Sequence, residues 1–192
     1  MAAVGGRGRA AEVATDSPVA TIESLQEGLI AVVREKAGAP IEERYAELEP
    51  LIVATHDLPY IAEFALRRQW PSLREDEQRR FNAAFLRLSV MTYAARFRNV
   101  AADAFRPVAA GAPDTSGRVR VTTAIAREGQ ANVAFEYLLQ DSPQGWRIIN
   151  IVADGVSDLA LKRAEYQRVF ADGGIEGLIA ELEQQTQRLE NG

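Results

Sequence analysis

A single histidine, His56, is the whole imidazole complement of this 192-residue chain, and cysteine is absent. Multi-histidine metal sites, thiolate nucleophiles and cysteine metal sites are therefore excluded. His56 lies in Ala54-Thr55-His56-Asp57, which reads as a helix start, so it is expected as a capping or surface residue. The acidic runs that could do proton chemistry are Glu42-Glu43 and Glu75-Asp76-Glu77. Both fall in first turns of helical patterns, where carboxylates favour the positive end of the helix dipole. Arg67-Arg68 and Arg79-Arg80 read as helix-face charges able to meet an acidic partner or a lipid headgroup. No glycine-rich phosphate loop precedes a helix, since the Gly-Gly pairs at 5–6 and 173–174 belong to a tail and a helix junction. An enzyme needs a placed nucleophile, acid, base or metal. The surplus here is apolar surface, which points to a binder of something greasy.

With 47% hydrophobic and 26% charged residues the chain can bury a sizeable core, so one domain over 17–192 is expected. A net charge of −5, with no Lys/Arg run interleaved with aromatics, argues against nucleic acid as a partner. No apolar run approaches the roughly 20 residues that cross a bilayer. Residues 1–16 are rich in Gly, Ala and Arg without periodicity, and are expected to be a disordered tail. They carry charge but no apolar h-region, so they do not read as a secretory signal.

Ser17-Pro18 is a cap followed by proline at the first helical position. Val19, Ile22, Leu25, Leu29, Val32 and Val33 then form one stripe, closed by Gly38. Ile41, Tyr45, Leu48 and Ile52 continue a second helix that Pro50 should bend or break. After His56-Asp57-Leu58-Pro59 the chain restarts, with Ile61, Phe64 and Ala65 inward. Ser72-Leu73-Arg74-Glu75 matches a capping box, which places a long helix from Leu73 to about Asn99. Its stripes, Phe81/Phe85/Leu88/Ala95 and Leu86/Val90/Tyr93/Phe97, demand contacts on two sides, and part of that arc could line a cavity.

From Ala104 the period changes to two. A strand is expected near 104–109, another through Val119, Val121, Thr123 and Ile125, then a turn at Glu128-Gly129. Val133, Phe135, Tyr137 and Leu139 alternate in the third, and Asp141 to Gly145 turns the chain again. The last strand, residues 146–153, is apolar in both alternating sets and so should be covered on both faces. Asp154-Gly155 stops it and Ser157 caps the next helix, which runs to Asp172-Gly173-Gly174; a final helix follows from Ile175. Short connections make the sheet an antiparallel meander of about four strands in an α+β layout. If the apolar sets align, Val121, Phe135, Tyr137, Ile149 and Ile151 share one face, leaving Trp146, Ile148 and Val152 to a packed side. A slip of one residue would exchange the faces.

His56-Asp57-Leu58-Pro59-Tyr60-Ile61-Ala62, Trp70, the run Glu77 to Phe85, and Thr92-Tyr93-Ala94 together resemble the MlaC-type, or toluene-tolerance, lipid-shuttle proteins. Gly145-Trp146, Asn150, Asp154-Gly155-Val156-Ser157, Lys162, Tyr166 and Gly173 to Leu178 follow that family's strand-turn-helix pattern. The form running from Asp154 to Tyr166 is most similar to the hopanoid-associated HpnM branch. The resemblance implies a curved antiparallel sheet with helices packed around it, an apolar pocket between them, and a soluble periplasmic carrier. It implies a lipid ligand (hopanoid or phospholipid), membrane-bound lipid transport complexes as partners, a monomer, no cofactor and no bond chemistry. Candidate lining residues are Phe64, Phe85, Tyr93, Val121, Phe135, Tyr137, Ile149 and Ile151. Two other readings stay open. An enzyme on an NTF2-like cone would need Glu136 or Asn150 inside the pocket beside Tyr137 or His56. A pure adaptor would use exposed Arg67, Arg68 and Arg79 as its contact surface.

Overall fold

The computed structural model describes residues 13–98, 104–106, 108–126, 129 and 131–192. Three helices come first: α1 (Pro18–Glu35), α2 (Ile41–Thr55) and α3 (Leu58–Leu66). A 3-10 turn (Trp70–Ser72) leads into α4 (Glu75–Arg96). Five strands follow, β1 (Ala109–Ala110), β2 (Val119–Ile125), β3 (Val133–Gln140), β4 (Arg147–Ala153) and β5 (Val156–Ser157), and then the long α5 (Asp158–Asn191). The strands pair antiparallel in sequence order, so the sheet is a meander and the fold is α+β. It has five strands where about four were expected, because the short β5 pairs with β4 at the edge.

Local chemistry explains most boundaries. Ser17 accepts from the Ala20 N–H at 3.1 Å with Pro18 in the first turn, and Ser157 accepts from the Ala160 N–H at 3.2 Å. Both are side-chain N-caps, as read from the sequence. Pro50 sits inside α2 without ending it. At α4 the expected capping box is displaced by two residues. Glu77 reaches back to the Arg74 N–H at 2.8 Å, so Glu75 opens the helix, while the Ser72 hydroxyl bonds the Gln69 carbonyl in the 3-10 turn. The helix ends at Arg96; the expected end at Asn99 lies outside the described residues, as does Glu128 of the expected turn. α5 carries a break at Gly174 (φ 62°, ψ −161°), which is the helix junction anticipated at the glycine pair. Among the described residues, the strand expected over 104–109 appears as a bridge from Phe105 to Ile125 and as β1.

Register places Val121 opposite Tyr137 and Tyr137 opposite Ile151, with Thr123, Phe135 and Ala153 one pair further on. Between Leu138 and Leu139 the β3–β4 register shifts: Asn150 faces Leu138, Ile148 faces Leu139, and Ile149 is the extra residue. That bulge overturns the simple parity read for β4. Ile148, expected on the side opposite Ile151, joins the face of Leu139 and Tyr137 and is fully buried. The face carrying Arg120, Thr122, Ala134 and Glu136 is turned away from the core, and Arg120 pairs with Glu136 across it at 3.4 Å. Helices therefore cover one face of the sheet. α1 rests on β1 and β2, while α2, α3 and α5 reach β4.

Residues 13–16, placed by the sequence reading in a disordered tail, lie against the main body. The Trp146 N–H donates to the Thr15 carbonyl at 2.8 Å, and the Ala14 N–H donates to Ser24 Oγ at 3.1 Å. Residues 1–12 of that expected tail are outside the described residues. Gly145 allows this crossing, with φ at +96° and a would-be Cβ only 2.5 Å from the Thr15 carbonyl oxygen. Gly145→Ala is expected to cost about 1–3 kcal/mol, read as a lower denaturant midpoint with an unchanged slope.

Candidate functional site: an apolar cavity with a polar wall

A cavity of about 640 Å³ opens between β3, β4, β5 and helices α3, α4 and α5. That volume is within the range of small-molecule sites, about 300–1,000 Å³. Each wall follows from the element that supplies it. Successive turns of α4 bring Phe85, Leu88, Ser89, Thr92 and Tyr93 to one side. Alternation in β3 presents Phe135 and Tyr137, and the β4 bulge presents Ile149 and Ile151. Leu58 and Ile61 come from α3, with Leu159 and Tyr166 from α5. Toward solvent the wall changes character. Val156 and Leu161 are 52% and 59% exposed, beside Lys162 and Arg188. Each of those cations is held by a carboxylate, Lys162 by Asp158 at 2.6 Å and Arg188 by Glu181 at 2.9 Å.

Six of the eight residues chosen from sequence therefore surround one space: Phe85, Tyr93, Phe135, Tyr137, Ile149 and Ile151. Phe64 does not line it. Its ring stacks on Tyr60 and lies between the guanidinium groups of Arg67 and Arg163, at 5.4 and 5.3 Å. Val121 also stays out of the cavity; it is fully enclosed in the core on the strand beyond Tyr137. Leu58, Ile61, Leu88, Leu159 and Tyr166 were missed as wall residues. The α4 stripe already held Leu88, and spacing alone cannot say which core residue faces a void.

His56 is the clearest departure from expectation. It is not a surface residue, and the helix end it caps is the C-terminus of α2 and not the start of α3. It follows the last residue of α2, is 5% exposed, and pairs as a short parallel bridge with Ile148 of β4. Asp57, the next residue, is the side-chain cap of α3, accepting from the Tyr60 N–H at 3.1 Å. Nδ1 of His56 lies 3.2 Å from the Ile52 carbonyl and 2.9 Å from Thr55 Oγ1, whose own proton goes to the Leu51 carbonyl. A carbonyl can only accept, so Nδ1 carries the ring proton and Nε2 is left as an acceptor. The Tyr93 hydroxyl, 2.9 Å from Nε2, donates to it. Burial holds the imidazole neutral, lowering its pKa from 6.5 to about 4; the Ile52 carbonyl and Asp158 oppose that shift, while Lys162 and Arg147 assist it. Burial likewise raises the phenols of Tyr93, Tyr137 and Tyr166, so all three stay protonated.

A consequence for stability follows from the sign of the His56 shift. Its folded pKa is below the unfolded value, so the unfolded chain takes up the proton first as pH falls. Stability carried by the neutral form is complete above about 6.5, declines between 6.5 and 4, and is gone below 4. The difference of about 2.5 pH units corresponds to a loss of about 3 kcal/mol. Urea unfolding of wild type and His56→Gln between pH 7 and pH 4 should show that slope in the wild type only.

The groups required by the enzymatic alternative are otherwise engaged. Glu136 pairs with Arg120 on the far face of the sheet. Asn150 does reach the cavity wall, but its Oδ1 takes the Ser157 hydroxyl at 3.1 Å and the Leu159 N–H at 3.3 Å, tying β4 to the start of α5. No cluster of potential metal-binding side chains occurs among the described residues. No helix among them is long and apolar enough to cross a membrane.

A sequence model of one family, described as MlaC protein, matches residues 23–184. Among solved structures, a phospholipid-binding protein of Ralstonia solanacearum, determined in complex with a phospholipid, superposes with a TM-score of 0.75 at 22% identity. The match covers 89% of this chain and 97% of that one. Comparison with curated protein sequences found no match.

Proposed function

We propose a lipid-carrying function from one premise: this chain belongs to the MlaC family. In this reading it is a soluble periplasmic carrier that takes a hydrophobic lipid, a phospholipid or a hopanoid, from one membrane-bound transport complex and delivers it to another. Transfer between the inner and outer membrane is its task, and it works as a monomer without bond chemistry. The observation that carries the reading is the 640 Å³ cavity, enclosed by aromatic and aliphatic side chains at one end and open beside exposed Val156 and Leu161 at the other. The Ralstonia structure, with the same fold and a bound phospholipid, supports it.

The physical need is plain. Each methylene buried from water is worth about 0.8 kcal/mol, so a chain of about 15 methylenes resists leaving a bilayer by roughly 12 kcal/mol. An enclosed apolar space offsets that penalty during transit. Phe85, Tyr93, Phe135, Tyr137, Ile149 and Ile151 are the side chains proposed to touch the cargo. The test is transfer of a fluorescent phospholipid from donor to acceptor vesicles, with a hopanoid as competitor. Catalysed transfer with the rate set by protein concentration is expected; a rate equal to the protein-free control would overturn the reading. Competition by the hopanoid at equal concentration would assign the cargo to that class.

A further inference from the structure

Five tyrosines are present, and two have ordinary partners outside the cavity. Tyr45 donates to Glu49 at 3.1 Å, and Tyr60 accepts from Arg118 at 3.0 Å. The other three, Tyr93, Tyr137 and Tyr166, all line the cavity from different elements. Tyr137 is 5% exposed and Tyr166 2%, yet neither phenol has a hydrogen-bond partner among the described residues. Neither oxygen is among the fully enclosed polar atoms left unsatisfied, and both residues line the cavity. Tyr93 differs: its proton is committed to His56, so its oxygen can only accept.

A saturated chain lying against these groups would leave two donors and an acceptor dry, and buried polar groups without partners are costly. Resting on the carrier reading above, we propose that the cavity selects a lipid bearing a hydroxyl in its buried part. The phenol of Tyr137 donates to the hydroxyl oxygen, and the oxygen of Tyr93 accepts its hydrogen. A hydroxyl uses both functions at a single atom, whereas an ester or ketone carbonyl only accepts. His56 is the positioning residue, because it fixes Tyr93 as an acceptor.

The experiment is displacement of a bound fluorescent fatty acid from the full chain by octadecanoic acid and by a positional series of its hydroxy derivatives. In a featureless apolar pocket every hydroxyl would weaken binding by roughly tenfold or more. The proposal expects at least one position, deep in the chain, to bind within about threefold of the parent or more tightly. The ketone at that same position should bind about tenfold more weakly than the alcohol. Tyr137→Phe should shift the ratio of alcohol affinity to octadecanoic acid affinity by about tenfold toward the parent acid, a ratio read within the one variant and so independent of any change in overall affinity. Uniform weakening across the whole series, or a ketone equal to the alcohol, overturns the proposal and leaves the carrier reading standing. No displacement by any fatty acid, parent included, sinks both. The wild-type comparison needs no variant, so it decides the matter even if Tyr137→Phe folds poorly.

Discussion

Ser89→Trp should cut vesicle-to-vesicle lipid transfer by more than tenfold while leaving the protein folded. Ser89 lies on the cavity side of α4, between Phe85 and Tyr93 in the chain, and its hydroxyl makes no hydrogen bond among the described residues. Little is lost when the side chain is replaced, and the indole projects from a rigid helix into space that a lipid chain needs. Overpacking of a filled core costs about 1–3 kcal/mol, but here the added volume enters a void, so the melting temperature should stay within a few degrees. Transfer assays and thermal unfolding on the same preparation separate the two effects. Unchanged transfer with an intact fold would mean that the cargo does not use this cavity.

Phe85→Ala is expected to produce the largest loss of stability. The ring is 1% exposed and packs between Phe81 and Tyr166, with centroids 6.2 and 6.4 Å away. Truncating a buried phenylalanine costs about 3–5 kcal/mol. For a domain of this size each kcal/mol lowers the melting temperature by about 2–4 °C, so a fall of about 10 °C is expected. Phe85 lines the void on one side, so lipid bound at saturation should restore part of that loss through mass action. A fall of less than about 3 °C would show that the Phe81–Phe85–Tyr166 cluster does not hold α4 to α5.

Period and caps carried much of this fold into the sequence. Ser17 and Ser157 cap the helices they were expected to cap, because a short hydroxyl before an apolar stripe has few other uses. The β2 and β3 alternation was strict enough to bring Val121 and Tyr137 into register. The β4 bulge was not legible. Nothing in Ile148-Ile149-Asn150-Ile151 marks an extra residue, since each of its isoleucines is equally at home on either face, and that one residue brought Ile148 onto the face of Leu139 and Tyr137. The capping box slipped because two sets of residues could make it: Ser72 offered a hydroxyl, but Glu77 reached the Arg74 amide and the 3-10 turn used Ser72 elsewhere.

The cavity wall was legible in outline for a similar reason. Aromatic and branched residues with shared parity tend to meet, and six of the eight chosen do. Phe64 failed because two arginines, Arg67 from its own segment and Arg163 from α5, cover its ring outside the cavity. Val121 failed because it lies one strand further from the opening, where the core is filled. His56 was misjudged from local sequence, which could not reveal the bridge to Ile148 nearly a hundred residues away. A polar side chain beside a strongly apolar segment is a weak signal until the tertiary contact is known.

If the cavity holds lipid, the lipid should travel with the folded chain. Native mass spectrometry of the full chain, purified without detergent and then incubated with vesicles containing phospholipid and hopanoid, tests it most directly. A population heavier than the polypeptide by the mass of a lipid is expected, which organic extraction then removes and identifies. A single peak at the polypeptide mass before and after incubation, from protein that unfolds cooperatively, would contradict it.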